Sequence, residues 1–228
     1  MSRFLIGLLL LLAGPALAQR VSQVDFGDVQ DRTTDKDAAY YFPKLLSRLQ
    51  QADTTLGQQE YYYLYYGQVY APGYQPYDAD DLSDEFRTAY EAAQYEQALA
   101  VGLPELAQHP FNLKLRQKVF IGLSRLGRQA EARHYSQAFF GFLYTIIGSG
   151  DGHAANTAFV PVTVADEYAV LSYYDLTWSK QALQGTTDVF TLTGTHEPPR
   201  DERHTFTGKL LYFDVSRPLR HLRDQFRK

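Results

Sequence analysis

The sequence lacks cysteine altogether. This absence excludes disulfides, thiol nucleophiles, Cys-based zinc sites and dithiol redox pairs. It also excludes a lipid-anchored lipoprotein, because no cysteine follows the apolar N-terminal run to accept the lipid. An oxidising compartment would therefore neither damage this chain nor cross-link it.

An excess of positive charge is missing as well. Lys and Arg number 22 against 26 Asp and Glu, so the formal net charge is −4 at pH 7. Nucleic acids are bound by basic faces, and we therefore exclude nucleic acid as a partner. The hydrophobic fraction of 45% is large enough for a core and argues against general disorder.

The one long apolar run lies at the N-terminus. Arg3 precedes the apolar stretch Phe4–Ala13, and Ala16–Ala18 supplies small residues, which is the pattern of a cleavable signal peptide. An uncleaved anchor is the alternative, but the stretch is shorter than the roughly 18–20 residues that a membrane span needs. We predict cleavage between Ala18 and Gln19, export to the periplasm or the exterior, and a soluble mature chain without a transmembrane segment.

The chain is predicted to have α+β architecture. After the signal peptide at residues 1–18 we expect an irregular N-terminal arm at 19–37, a helical region at 38–147 and a small α+β unit at 148–228. Helical spacing of apolar residues predominates over 38–147. Shorter runs of residues that favour strands follow the glycine-rich stretch at the end of this region.

A 34-residue spacing within the helical region is typical of tetratricopeptide repeats. It relates the pairs Phe86 and Phe120, Ala93 and Gly127, and Ala98 and Ala132. Small residues allow paired helices to approach closely, and Gly permits the turn between them. Ala93 and Tyr144 depart from the repeat pattern, and two repeats are fewer than a solenoid needs. We therefore expect a tetratricopeptide-like layer of about six helices, completed by other elements; an ordinary helical bundle is the alternative.

The last 80 or so residues are predicted to form an antiparallel sheet with flanking helices. Three segments have the composition of strands: Thr157–Val164, Asp188–Thr193 and Phe206–Val215. Asp166 is placed to cap a short helix, and a last helix is expected over Pro218–Phe226. A charged loop, Gly194–His204, joins the second and third strands.

Six short motifs occur in a recognisable order along the chain. They are Leu64-Tyr65-Tyr66-Gly67, Tyr74-Gln75-Pro76-Tyr77, Gly150-Asp151-Gly152, Thr157-Ala158-Phe159-Val160, Asp166-Glu167-Tyr168 and Leu211-Tyr212-Phe213-Asp214-Val215-Ser216. Together they resemble a domain of unknown function found in exported proteins of Bacteroidetes-type bacteria. The resemblance covers most of the mature chain. It implies an envelope or secreted location and no particular reaction, so no catalytic residue is transferred from it.

The best candidates for catalysis lie near the start of the α+β unit. Asp151, His153, Asp166 and Glu167 could converge as an acid–base or metal-binding group if the glycine-rich loop packs against the following helix. In a hydrolase, Asp151, His153 and Glu167 would be the working residues. The alternative assigns Asp151 to a turn and Asp166 and Glu167 to the first turn of a helix. No metal-ligand spacing is diagnostic, and the glycine-rich loop lacks the Lys of a phosphate-binding loop. We therefore predict neither a metal nor a cofactor.

Eight tyrosines lie between residues 61 and 77. Tyr65, Tyr66, Tyr74 and Tyr77 are the candidates for binding a ligand, since aromatic rings form platforms for sugars and peptides. On a helix, however, tyrosines four residues apart also pack against each other and then into the core. A basic stretch, 217–228, could contact an anionic membrane surface or form a solvated terminal helix.

The leading functional hypothesis is a non-catalytic module of the cell envelope that binds or scaffolds a protein or peptide, because repeats of this kind present concave surfaces to partners. The alternatives are a hydrolase with its site between the two parts of the chain, and a glycan-binding module that uses the tyrosine-rich segment.

Overall fold

The computed structural model describes residues 24–77, 82–193 and 208–227. The predicted signal peptide with its cleavage site at Ala18 and Gln19, and the predicted loop at 194–204, lie outside these residues. The described part has α+β architecture, as predicted, with nine α-helices and one antiparallel sheet of three strands. None of the described helices is both long and apolar enough to cross a bilayer.

Helices predominate in the first part of the described chain, and the strands come later. The helices are α1 Phe26–Thr34, α2 Phe42–Gln50, α3 Gln58–Gly67, α4 Asp84–Glu91, α5 Tyr95–Gln108, α6 Leu113–Arg125, α7 Gln129–Ile147, α8 Ala165–Tyr173 and α9 Ser216–Gln225. The strands are β1 Thr177–Gln184, β2 Thr187–Thr193 and β3 Leu210–Asp214, and two short 3-10 turns cover Gln68–Tyr70 and Ala155–Thr157.

The N-terminal arm that we expected to be irregular contains helix α1. Its N-cap is Asp25, whose carboxylate accepts hydrogen bonds from the backbone N–H groups of Gly27 and Asp28, each at 3.0 Å. The buried face of the helix carries Val29, and the hydroxyl of Tyr63 on α3 donates to the Asp28 carboxylate at 2.7 Å. An N-cap worth about 1 kcal/mol and contact with α3 together hold this polar segment in a helix.

The turns within the pairs α4–α5 and α6–α7 have the same hydrogen bonds, 34 residues apart. The N–H of Gln94 donates to the carbonyl of Ala89, and the N–H of Arg128 donates to that of Leu123, both at 2.9 Å. Ala93 has φ +57° where Gly127 has φ +76°, so alanine adopts here the left-handed conformation that glycine adopts more easily.

The sheet is a meander in the order β1–β2–β3. Strands β2 and β3 lie where two strands were predicted. The predicted strand at 157–164 is wrong: the segment starts at the end of a 3-10 turn and contributes a single bridge, in which Phe159 exchanges backbone hydrogen bonds with β3. Strand β1 was not predicted. It lies at the edge of the sheet, where most of its side chains are exposed, and its sequence therefore lacks the alternation of apolar and polar residues that indicates a strand.

Two clusters of buried apolar side chains stabilise the molecule. The larger contains residues of α1–α3, α7 and α8 together with the inner face of the sheet, so that Phe142 and Phe213 belong to one core. The smaller lies among α4–α7 and includes Phe86 and Ala132. Gly102 on α5 faces Phe86 so closely that a Cβ atom would stand 2.4 Å from its ring.

Replacing Ala93 by Gly is expected to stabilise the protein. A non-glycine residue in the left-handed region costs about 1–2 kcal/mol. Glycine removes this cost, but it also raises the conformational entropy of the unfolded chain, which offsets part of the gain in stability. We expect the free energy of unfolding in urea to rise by about 0.5–1 kcal/mol for Ala93→Gly. The matched control is Ala92→Gly, at φ −78°, which should be neutral or destabilising. Equal effects of the two substitutions would contradict the assignment of strain to Ala93.

Candidate functional site

Three carboxyl groups converge between helix α8 and the sheet. Asp166 and Glu167 in the first turn of α8 are buried, with 1% and 0% of their surface exposed, and Asp188 of β2 is 9% exposed. The hydroxyl of Tyr65 donates to Asp166 at 2.5 Å and accepts from the backbone N–H of Val162 at 3.1 Å. A buried carboxylate needs such donors, because removal from water disfavours its charged form.

Glu167 is held in its neutral form. Burial, followed by the charge of Asp188 and contact with that carboxyl group, raises the pKa of Glu167 to about 9. The two carboxyl groups lie side by side without reaching full hydrogen-bond geometry, and the Glu167 oxygens are buried. At neutral pH Glu167 is therefore mainly protonated.

A polar chain connects this pair to the protein surface. The Asp188 carboxylate accepts from the amide of Gln181 at 2.6 Å, and the Gln181 carbonyl accepts from the hydroxyl of Tyr168, also at 2.6 Å. Tyr168 and Trp178 are 38% and 41% exposed, and their ring centroids are 5.7 Å apart. The carboxyl pair is thus linked through an amide to a partly exposed tyrosine, against which Trp178 packs.

The other predicted acid–base residues lie in a separate turn. The carboxylate of Asp151 accepts from the backbone N–H of His153 at 2.9 Å, and the carbonyl of Gly152 accepts from Tyr212 of β3. Gly152 has φ +70°, and a Cβ there would meet Leu211 at 2.7 Å. The glycine-rich loop thus makes a close turn against the sheet. The charged neighbours that shift the pKa of Glu167 are Asp188 and Asp166. The sequence placed Asp166 beside Glu167 but did not reveal Asp188. Cooperation of Asp151, His153 and Glu167 in catalysis stays a prediction.

The tyrosine-rich segment is mostly inside the protein. Tyr65 and Tyr66 have no exposed surface, so their rings offer no platform on which a sugar could stack. The Tyr66 hydroxyl donates to the carbonyl of Val160 at 3.1 Å. The Tyr74 hydroxyl donates to the carbonyl of Val162, and only Tyr77, at 43%, is well exposed. Within the described residues, no group of three or more His, Asp or Glu side chains is arranged to hold a metal ion.

A cleft of about 500 Å³ lies between α2, the end of α5 and the turn that follows α3. We call it the α2–α5 cleft. Its lining comprises Phe42, Leu46, Gln50, Gln68, Ala71, Pro72, Gly73, Tyr74, Gln75, Glu105, Ala107, Gln108, His109, Pro110, Phe111, Asn112 and Thr163. Its volume is within the range of about 300–1,000 Å³ that is usual for ligand sites.

Replacing Glu167 by Gln is expected to remove a pH dependence of stability. Because the pKa of Glu167 is raised in the folded state from 4.5 to about 9, its contribution is fully present below pH 4.5 and is lost as the pH rises toward 9. Glutamine keeps the shape and stays neutral. We expect Glu167→Gln to raise the free energy of unfolding at pH 8 by about 2–4 kcal/mol and to flatten its decline between pH 5 and 9.

The exposed Glu85 of α4 supplies the matched control. Urea unfolding of wild type, Glu167→Gln and Glu85→Gln across this pH range makes the comparison. A wild-type stability that does not decline between pH 5 and 9, or declines equally in Glu167→Gln, would show that Glu167 is not neutral in the folded protein.

Comparison with known proteins identifies a family. Neither a curated protein nor a solved structure matches the sequence significantly. The sequence does match the family described as Domain of unknown function (DUF4919) over residues 27–223. This match extends from α1 to α9 and includes both the carboxyl cluster and the α2–α5 cleft, and the chain therefore belongs to the DUF4919 family of domains of unknown function.

Proposed function

We propose that this protein is an exported, non-catalytic module of the cell envelope that binds an extended peptide or protein segment in the α2–α5 cleft. The observation that carries the proposal is the distribution of side chains in the cleft, with an apolar floor and a rim of amides. A peptide presents both kinds of group, since its backbone forms hydrogen bonds and its side chains fill apolar pockets.

The floor of the cleft is aromatic and rigid. Phe42 of α2 is buried and stacks on Phe111 with the ring centroids 6.0 Å apart. Leu46, one turn further along α2, is only partly buried and adds an apolar contact. Covering such surface with an apolar side chain contributes about 25 cal/mol per Å², so one anchoring residue of a peptide can supply a substantial part of the affinity.

The rim provides hydrogen-bonding groups that match a peptide backbone. Gln50, Gln75 and Gln108 line the cleft and are exposed, and each side-chain amide carries both donors and an acceptor. Glu105 adds one carboxylate, which accepts from Ser83 at 3.1 Å. Neutral amides favour recognition of backbone over recognition of a charged side chain.

Two further features support this function. The matched turns of α4–α5 and α6–α7 support a tetratricopeptide-like arrangement, and repeats of that type use rigid helix pairs to present a concave surface. Glu167 has no exposed surface, whereas an acid or base must come within hydrogen-bond reach of its substrate. This favours binding over hydrolysis. Export is proposed from the charge and apolar pattern of residues 1–18.

The cleft proposal predicts that two amides contribute to peptide affinity. Peptides selected by display against the chain from Gln19 onward are expected to bind at least about fivefold more weakly to the double variant Gln50→Ala/Gln108→Ala, because each of the two lost hydrogen bonds costs about 0.5–1.5 kcal/mol. The matched control is Gln51→Ala, next to the cleft but outside its lining. Failure to select any peptide, or equal affinities for all three proteins, would refute peptide binding at this cleft.

Export has its own test. Expressed in a Gram-negative host, the full chain is expected to appear in the periplasm with a mass that corresponds to a start at Gln19. Ala18→Phe should block processing, because the peptidase requires a small residue before the cleaved bond; Gln23→Phe is the control and should be processed normally. Retention of the unprocessed wild-type chain in the cytoplasm would contradict export.

A further inference from the structure

A second cleft lies between α1, the 3-10 turn that follows α3, and α9. Its volume is about 360 Å³, and we call it the α1–α9 cleft. Arg217, Arg220 and His221 reach it from α9, and Tyr70 and Tyr74 line it from the turn. Tyr74 also lines the α2–α5 cleft.

The cleft concentrates positive charge in a protein that is acidic overall. Arg217 and Arg220 are one helical turn apart, and in the part of the chain that the structure describes neither forms an ion pair with a carboxylate. One acidic residue, Asp224, lines the cleft as well. On α1, the Asp28 carboxylate is engaged by Arg32 at 2.6 Å. The exposed guanidinium group of Arg220 is therefore available to a ligand. Arg217 is partly buried and contacts the Tyr70 hydroxyl, but a guanidinium has five N–H donors and retains others for a ligand.

Aromatic contacts hold Arg217 and His221 in place. The guanidinium carbon of Arg217 lies 3.6 Å from the centroid of the Phe26 ring, and the hydroxyl of Tyr70 donates to the carbonyl of Phe26 at 2.7 Å. The imidazole of His221 meets the ring of Tyr74 edge to face, with the centroids 5.1 Å apart. Partial burial lowers the pKa of Arg217 from 12.5, yet a guanidinium remains charged at physiological pH. A preorganised cation loses little side-chain entropy when it binds an anion.

We propose that the α1–α9 cleft binds the oxyanion head, phosphate or carboxylate, of a small organic ligand whose flat or apolar body lies against Tyr70 and Tyr74. The planar fork of Arg matches the oxygens of both anions with two parallel hydrogen bonds. Two guanidinium groups against one Asp leave the net positive charge that an anion requires. The volume is sufficient for a head group with an attached ring. This site is separate from the peptide cleft and does not depend on it.

Binding of three small probes to the chain from Gln19 onward tests the proposal. They are phenyl phosphate, benzoate and inorganic phosphate, measured by calorimetry and by NMR shift changes at low ionic strength. We expect saturable binding of phenyl phosphate or benzoate, with inorganic phosphate weaker because it lacks the ring. The stronger of the two aromatic probes identifies the head group as phosphate or carboxylate.

Two exposed arginines of the same helix form the matched pair of variants. Arg220 lines the cleft and Arg223 does not. Arg220→Gln is expected to weaken binding of the aromatic probe about tenfold, the equivalent of one charge-assisted hydrogen bond, while Arg223→Gln and Gln50→Ala/Gln108→Ala leave it unchanged. Both arginine variants should retain the wild-type circular dichroism spectrum, since both side chains are exposed.

Three results would overturn the proposal. They are the absence of saturable binding for both aromatic probes, an equal loss of affinity in Arg220→Gln and Arg223→Gln, and binding only to vesicles of phosphatidylglycerol. The second result would indicate diffuse attraction by the whole basic helix, and the third a membrane surface instead of a small ligand.

Discussion

The hydrogen bond between the Tyr65 hydroxyl and Asp166 joins two parts of the chain that are 101 residues apart. Both groups are buried, and a buried polar group without a partner costs about 1–3 kcal/mol. The same hydroxyl accepts from the backbone of Val162, so a single side chain of α3 positions both the start of α8 and the segment that leads to it. The carboxyl cluster and the Tyr74 turn between the two clefts depend on this arrangement.

Helix α3 connects several parts of the fold, because its tyrosines combine large apolar rings with hydroxyl groups at their tips. Tyr63 bonds to α1, Tyr65 to α8, and Tyr66 to the carbonyl of Val160. The three rings are buried in the core. The hydroxyls of Tyr65 and Tyr66 satisfy buried polar groups, and that of Tyr63 reaches the partly exposed Asp28, which also pairs with Arg32. Tyrosine thereby provides specific tertiary contacts in a chain that has no disulfides.

The carboxyl cluster and the two clefts illustrate different uses of polar groups. Around Glu167, burial beside Asp188 favours a neutral acid and links stability to pH. In the α2–α5 cleft, amides remain exposed above an apolar floor. In the α1–α9 cleft, the guanidinium group of Arg217 lies over the ring of Phe26. Tyr74 lines both clefts, and its hydroxyl donates to the carbonyl of Val162.

Features with local causes could be read from the sequence. The turn at Gly127, the strand Thr187–Thr193 and the α+β class follow from backbone preference and from the spacing of apolar residues, which act between neighbours in the chain. Helix α1 and strand β1 were missed, because a polar helix owes its stability to α3 and an edge strand to its pairing with β2. The segment after residue 157 has β-type residues, yet it pairs with β3 only at Phe159.

The same distinction between local and tertiary causes applies to the candidate sites. The sequence by itself determined the absence of cysteine chemistry, the acidic character of the chain, the glycine-rich turn and the polar start of α8. Only the tertiary structure decided that Glu167 lies beside Asp188, that Tyr65 and Tyr66 are core residues, and that Arg220 lines a cleft. Burial and the distance between charges depend on elements that are far apart in sequence, and these two quantities determine whether a carboxyl group is protonated or a ring is accessible.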